Sequence, residues 1–98
     1  MNIDVPRERI EEFCRKWKIA EFALFGSVLR DDFRPDSDVD VMVTLVPGRR
    51  PRLEDWLDME DELTSIFRRK VDLVEKQRIV NPFIRHHVLH HHEVLYAA

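Results

Sequence analysis

At 98 residues, with 44% hydrophobic and 36% charged side chains, the chain suffices for one compact domain over residues 1–98, not two, and is not compositionally disordered. Its net charge of −3 lacks the basic surplus of a general nucleic-acid binder, which leaves an RNA end only as an acceptor. Lone Cys14 excludes an internal disulfide, and there is no apolar leader core and no apolar run near the roughly 20 residues of a membrane span, so a cytoplasmic protein without a membrane partner is expected.

Asp4 and Val5 precede Pro6, after which Ile10, Phe13, Cys14 and Trp17 recur at helical spacing. This predicts a helix starting near Pro6, with the aspartate as cap, and running to about Trp17. Ile19 to Phe25 is apolar and aromatic, stops at Gly26, and reads as a buried strand. A turn with a short helical piece follows from Gly26 to Arg34, and Pro35, Asp36 and Ser37 break the chain. Val39 to Leu45, rich in β-branched residues and closed by Pro47 and Gly48, is the clearest strand.

Gly48 to Arg52 reads as a basic, turn-like loop. Leu53, Trp56, Leu57, Leu63, Ile66 and Phe67 mark an amphipathic helix, and Val71 to Val74 a short strand. Pro82 opens a last helix whose apolar side carries Phe83, Ile84, Val88, Leu89 and Leu95. The expected order is α-β-(α)-β-α-β-α, an α/β (α+β) fold with a small mixed sheet and helices packed on one face.

Three carboxylates stand out in this frame. Asp38 and Asp40 lie two apart at the mouth of the second strand, so they share a face opposite to Val39, Val41 and Val43. Asp72 lies between Val71 and Leu73 in the third strand and again faces away from its apolar neighbours. If the two strands are adjacent, the acids converge, and crowded carboxylates call for a cation; hard oxygen ligands of this kind suit Mg²⁺ completed by phosphates and water. Gly26 lets backbone approach a ligand closely, Ser27 can donate to a phosphate oxygen, and Arg30, one helical turn on, can touch phosphates or brace the acids. These parts read as a triphosphate cradle beside a metal site.

Gly26-Ser27-Val28-Leu29-Arg30, Asp36-Ser37-Asp38-Val39-Asp40 and Val71-Asp72-Leu73-Val74, in that order, resemble the three-part signature of the DNA polymerase β-like nucleotidyltransferases, and within them the minimal nucleotidyltransferase branch. The resemblance spans nearly the whole chain. It implies the nucleotidyltransferase fold and transfer of NMP, with ATP or another NTP as substrate and two Mg²⁺ ions. Asp38 and Asp40 would bind both ions, Asp72 the one that activates the acceptor hydroxyl, and Ser27 the β- and γ-phosphates. It also implies a partner, a HEPN-type toxin that such proteins neutralise as antitoxins, in some cases by placing AMP on a tyrosine. The chain departs from the family where Asp31 and Asp32 follow Arg30 in place of the frequent glycine.

Other features have plainer readings. His86 with His90, and His87 with His91, have chelating spacing, but no zinc signature accompanies them, and a polar or partner-binding helix face is the expectation. Arg49, Arg50 and Arg52 suggest either a solvated basic loop or a grip on an acidic partner. Trp17, Trp56, Phe67 and Cys14 fall on apolar stripes and read as core. Three functions follow: an enzyme that modifies a partner protein, an antitoxin that acts by occlusion alone, and a small-molecule nucleotidyltransferase working as a dimer. The brevity of the chain favours an external macromolecular acceptor, and a homo-oligomer is compatible with any of the three.

Overall fold

The computed structural model describes residues 3–29, 34 and 36–98. Its elements are α1 (Arg7–Trp17), β1 (Ile19–Phe25), a 3₁₀ turn (Gly26–Leu29), β2 (Val39–Leu45), α2 (Leu53–Phe67), β3 (Val71–Glu75), a second 3₁₀ turn (Lys76–Arg78), α3 (Pro82–His90) and β4 (His92–Ala97). The strands form one mixed sheet in the order β3-β2-β1-β4. β1 is antiparallel to both β2 and β4, whereas β2 and β3 are parallel, with α2 as their crossover.

Helix α1 forms because Ile10, Phe13 and Cys14 sit three and four apart and can all reach the sheet. Pro6 stands at its N-cap, with no side-chain cap, so the expected Asp4 cap is absent. The helix ends on Lys18, whose backbone is left-handed at φ 58° and whose amide donates to the Cys14 carbonyl. Phe13 meets Phe22 of β1 edge-to-face, ring centroids 6.0 Å apart. Met59, Leu63, Ile66 and Phe67 of α2 join them over Leu24, Val39, Val41, Val43 and Leu73 to make the main core. The Trp17 indole Nε1 and Lys16 Nζ both reach Glu62, at 2.9 and 3.0 Å, which clamps the two helices together. Leu53 and Leu57, read as part of the α2 stripe, are instead exposed.

The opposite sheet face is only partly covered. There Val88 and Leu89 of α3 pack with Ala23, Met42, Phe25, Val74 and Ile79 in a smaller cluster. Helices α1 and α2 thus lie on one face as expected, while α3 touches the other.

A further expectation fails. The last helix was expected to carry Leu95, but it stops at His90, and His92–Ala97 form a fourth strand. The spacing from Val88 to Leu95 fits a helix, yet Val94-Leu95-Tyr96-Ala97 is also a short continuous apolar run that suits a strand. Pairing with the open edge of β1, Phe25 to His92 and Ala23 to Val94, decides the outcome. Leu95 then packs against the main core from β4. The short helical piece expected after Gly26 is a single 3₁₀ turn over its described part.

Candidate active site

The parallel register of β2 and β3 pairs Asp40 with Asp72, and Val39 with Val71 on the preceding rung. Adjacent strands lie roughly 4.8 Å apart, so the two carboxylates stand side by side. Their sequence neighbours Val39, Val41, Val71 and Leu73 are buried beneath the helices, which turns both acids to the opposite, open face. Asp40 is half-buried there and Asp72 exposed. Asp38, also exposed, lies just before β2 begins.

Gly26 closes this corner from the end of β1. Its φ of +76° is the left-handed region that glycine adopts freely, and a Cβ built on it would collide with Asp40 Oδ2. Backbone is therefore packed directly against the carboxylate, and Ser27 follows in the 3₁₀ turn. Four residues make too short a helix for an appreciable dipole; the turn offers hydroxyl and amide donors instead. Arg30, Asp31 and Asp32 lie outside the described residues, so the positions expected of them are not part of this geometry.

The approach to Asp38 is held by a hydrogen-bonded turn. The Ser37 amide donates to the Arg34 carbonyl (3.0 Å), and the Ser37 hydroxyl accepts from the Arg34 amide (3.1 Å). Arg69 Nη1 donates to the same Arg34 carbonyl at 3.0 Å, and the Val39 amide to the Lys70 carbonyl, so the α2–β3 connection fixes the entry to β2. Two further residues share the acidic face: Phe25, the β1 partner of Asp40, and His92, the β4 partner of Phe25. A ring nitrogen of His92 lies 3.2 Å from the Val88 carbonyl, so this histidine belongs to the sheet rather than to the last helix. His86 and His90, and His87 and His91, bring their rings to 4.2 and 4.6 Å on exposed helix.

Among the described residues, no three of His, Cys, Asp and Glu are grouped so as to hold a metal ion together. The Asp40–Asp72 pair is instead the open kind of donor set that suits a hard cation completed by phosphate and water.

The nucleotidyltransferase domain model matches residues 7–95. The chain belongs to the nucleotidyltransferase domain family. "Putative protein adenylyltransferase MJ1379" of Methanocaldococcus jannaschii is 36% identical over 70 residues, covering 71% of this chain and 70% of that one. Protein adenylyltransferase MntA of Thermococcus cleftensis is 30% identical over 69 residues, or 70% and 68% of the two chains. A solved minimal nucleotidyltransferase superposes with TM-score 0.70 at 30% identity, over 88% of this chain and 85% of that one. A toxin-antitoxin crystal structure with AMP-PNP gives TM-score 0.76 at 20% identity, over 96% and 75%. A complex of an AMPylated Shewanella oneidensis HEPN toxin with its MNT antitoxin gives 0.66 at 20%, over 94% and 70%. At that identity the last two speak for the fold. Among its described residues this nucleotidyltransferase has three α-helices and a four-stranded mixed sheet, a fold that superposes on its solved relatives, and its family chemistry is nucleotidyl transfer. Among the described residues no helix is long and apolar enough to cross a membrane.

Proposed function

We propose that this chain is a protein adenylyltransferase that moves AMP from ATP onto a hydroxyl of a HEPN-type toxin, a tyrosine hydroxyl by resemblance, and so acts as its antitoxin. The observation that carries the reading is the lateral Asp40–Asp72 pair with Gly26 packed against it. The names of its relatives support adenylyl transfer to protein, and the toxin complexes support the class of partner.

In this reading Gly26 and Ser27 receive the triphosphate, Ser27 donating to the β- and γ-phosphate oxygens, and Arg30 adds positive charge. Asp38 and Asp40 would hold Mg²⁺ together with the phosphates, and Asp72 adds a carboxylate on the open side where the acceptor arrives. Held there, the cation would supply charge neutralisation for the attacking and leaving oxygens of an in-line displacement. The acceptor oxygen bonds to the α-phosphorus, losing its proton, as the bond to the β-phosphate oxygen breaks and pyrophosphate leaves. The open face around Asp72 leaves room for an acceptor carried by another protein.

The test is transfer of label from α-labelled ATP, with Mg²⁺, onto a HEPN-type toxin, with Asp40→Ala as control. Label that disappears with D40A supports the proposal. A tight complex that never acquires label replaces it with neutralisation by occlusion, and turnover on a free small molecule by a homodimer replaces it with the small-molecule reading.

A further inference from the structure

The basic loop before α2 builds a second site, away from the acids. A cleft of about 840 Å³ lies beside the C-terminal half of β3, between that loop, the start of α2 and the turn after β3. Its floor is apolar, from Trp56, Leu73 and Ile79, while Arg49, Arg50, Arg52 and Arg78 stand around it. Arg52 and Arg78 have local acids, Glu54 at 3.8 Å in an exposed pair of small worth and the half-buried Glu75 at 3.2 Å. Among the described residues Arg49 and Arg50 have no carboxylate partner, and the Arg49 Nε is buried with no hydrogen-bond acceptor. A buried guanidinium nitrogen left unpaired is costly, so the cleft favours an anionic occupant.

The backbone adds a second requirement. β3 is an edge strand. The Lys70 carbonyl accepts from the Val39 amide of β2, so by strand alternation Asp72 and Val74 also turn their backbone groups toward β2. Leu73 and Glu75 then direct theirs away from β2, and both line the cleft. Open strand edges are templates for an added strand, in which alternate side chains of the incoming segment face opposite ways.

We propose that this cleft binds an extended acidic segment of a partner protein, which adds to the edge of β3, sets alternate apolar side chains over Trp56, and sets its carboxylates against Arg49 and Arg50. Free phosphate meets the charge of the cleft but uses neither its apolar floor nor the strand edge. The proposal is independent of nucleotidyl transfer, since nothing in it involves the acids or the Gly26–Ser27 turn.

The experiment is titration of the full chain, in a Trp17→Phe background so that Trp56 alone reports, with a capped ten-residue peptide alternating Glu and Val. Saturable binding is expected, weakening with salt, absent for the matching Lys and Val peptide, and reduced about tenfold or more by Arg49→Gln with Arg50→Gln. Exposed Arg50→Glu alone, a change that leaves the half-buried Arg49 in place, is expected to reduce binding in the same direction. Equal binding of the Lys peptide, or indifference to both arginine variants, overturns the acidic occupant. Undiminished binding of a peptide N-methylated at alternate residues overturns strand addition, and full displacement by inorganic phosphate or ATP makes the cleft a phosphate site instead. No nucleotide or acceptor protein is present in the titration, so a failed transfer assay and a failed titration point to different errors.

Discussion

Asp40 of β2 and Asp72 of β3 are register partners across a parallel strand pair, so two carboxylates from separate motifs share one rung of the open sheet face. The helices on the other face bury the intervening valines and leave these acids outward.

Gly26 should be intolerant of any side chain. Gly26→Ala puts a Cβ onto Asp40 Oδ2 and also strains a backbone at φ +76°. The expected outcome is a stability loss of about 1–2 kcal/mol and a transfer rate lowered at least about tenfold. Denaturant unfolding and single-turnover transfer check the two parts separately.

Arg69 is expected to act through the turn that leads into Asp38. Arg69→Met removes the donor to the Arg34 carbonyl. A net loss of about 1 kcal/mol in stability is expected, with transfer reduced several-fold and rescued in part by Arg69→Lys. Unfolding midpoints and transfer rates across the three proteins measure this.

Lys18 carries a left-handed backbone without being glycine. Lys18→Gly relieves that conformation at the end of α1 and is expected to stabilise the protein by about 0.5–1 kcal/mol. Thermal unfolding should shift upward by a few degrees, with transfer unchanged.

Cys14 is fully buried, and its thiol is pushed up to about 12, first by burial and then by the nearby Glu11 charge. The folded value lies above the unfolded one, so the neutral thiol contributes stability that is complete below about pH 9 and is lost as pH rises from there toward about 12. Unfolding free energy should therefore fall across that alkaline window, and less so in Cys14→Ala. At pH 8 a disulfide reagent should leave the folded protein untouched and label it rapidly in denaturant.

Much of this was legible in the chain. Val39 to Leu45 and Val71 to Val74 announce their strands by β-branched residues, and the placement of Asp40 and Asp72 between buried neighbours follows from strand alternation alone. Gly26 was readable as a close approach, although only the coordinates show that Asp40 is what it approaches. What escaped is set by tertiary pairing. His92–Ala97 satisfies a helical and a strand pattern alike, and the open edge of β1 chooses between them. The bond from Arg69 to the Arg34 carbonyl spans 35 residues and leaves no local sequence signal. Leu53 and Leu57 fit the helical stripe yet stay exposed, because apolar period describes what a helix can bury rather than what covers it.

The central claim is that the Asp40–Asp72 rung is the site of nucleotidyl transfer. The most direct measurement is the single-turnover rate of AMP transfer by the wild-type chain, Asp40→Asn and Asp72→Asn, at saturating ATP and Mg²⁺, with folding of each protein verified by its unfolding midpoint. Both variants are expected to stay folded while transfer falls by at least about a thousandfold, the loss of several kcal/mol of charge stabilisation. Folded variants that transfer AMP within about tenfold of wild type would contradict it.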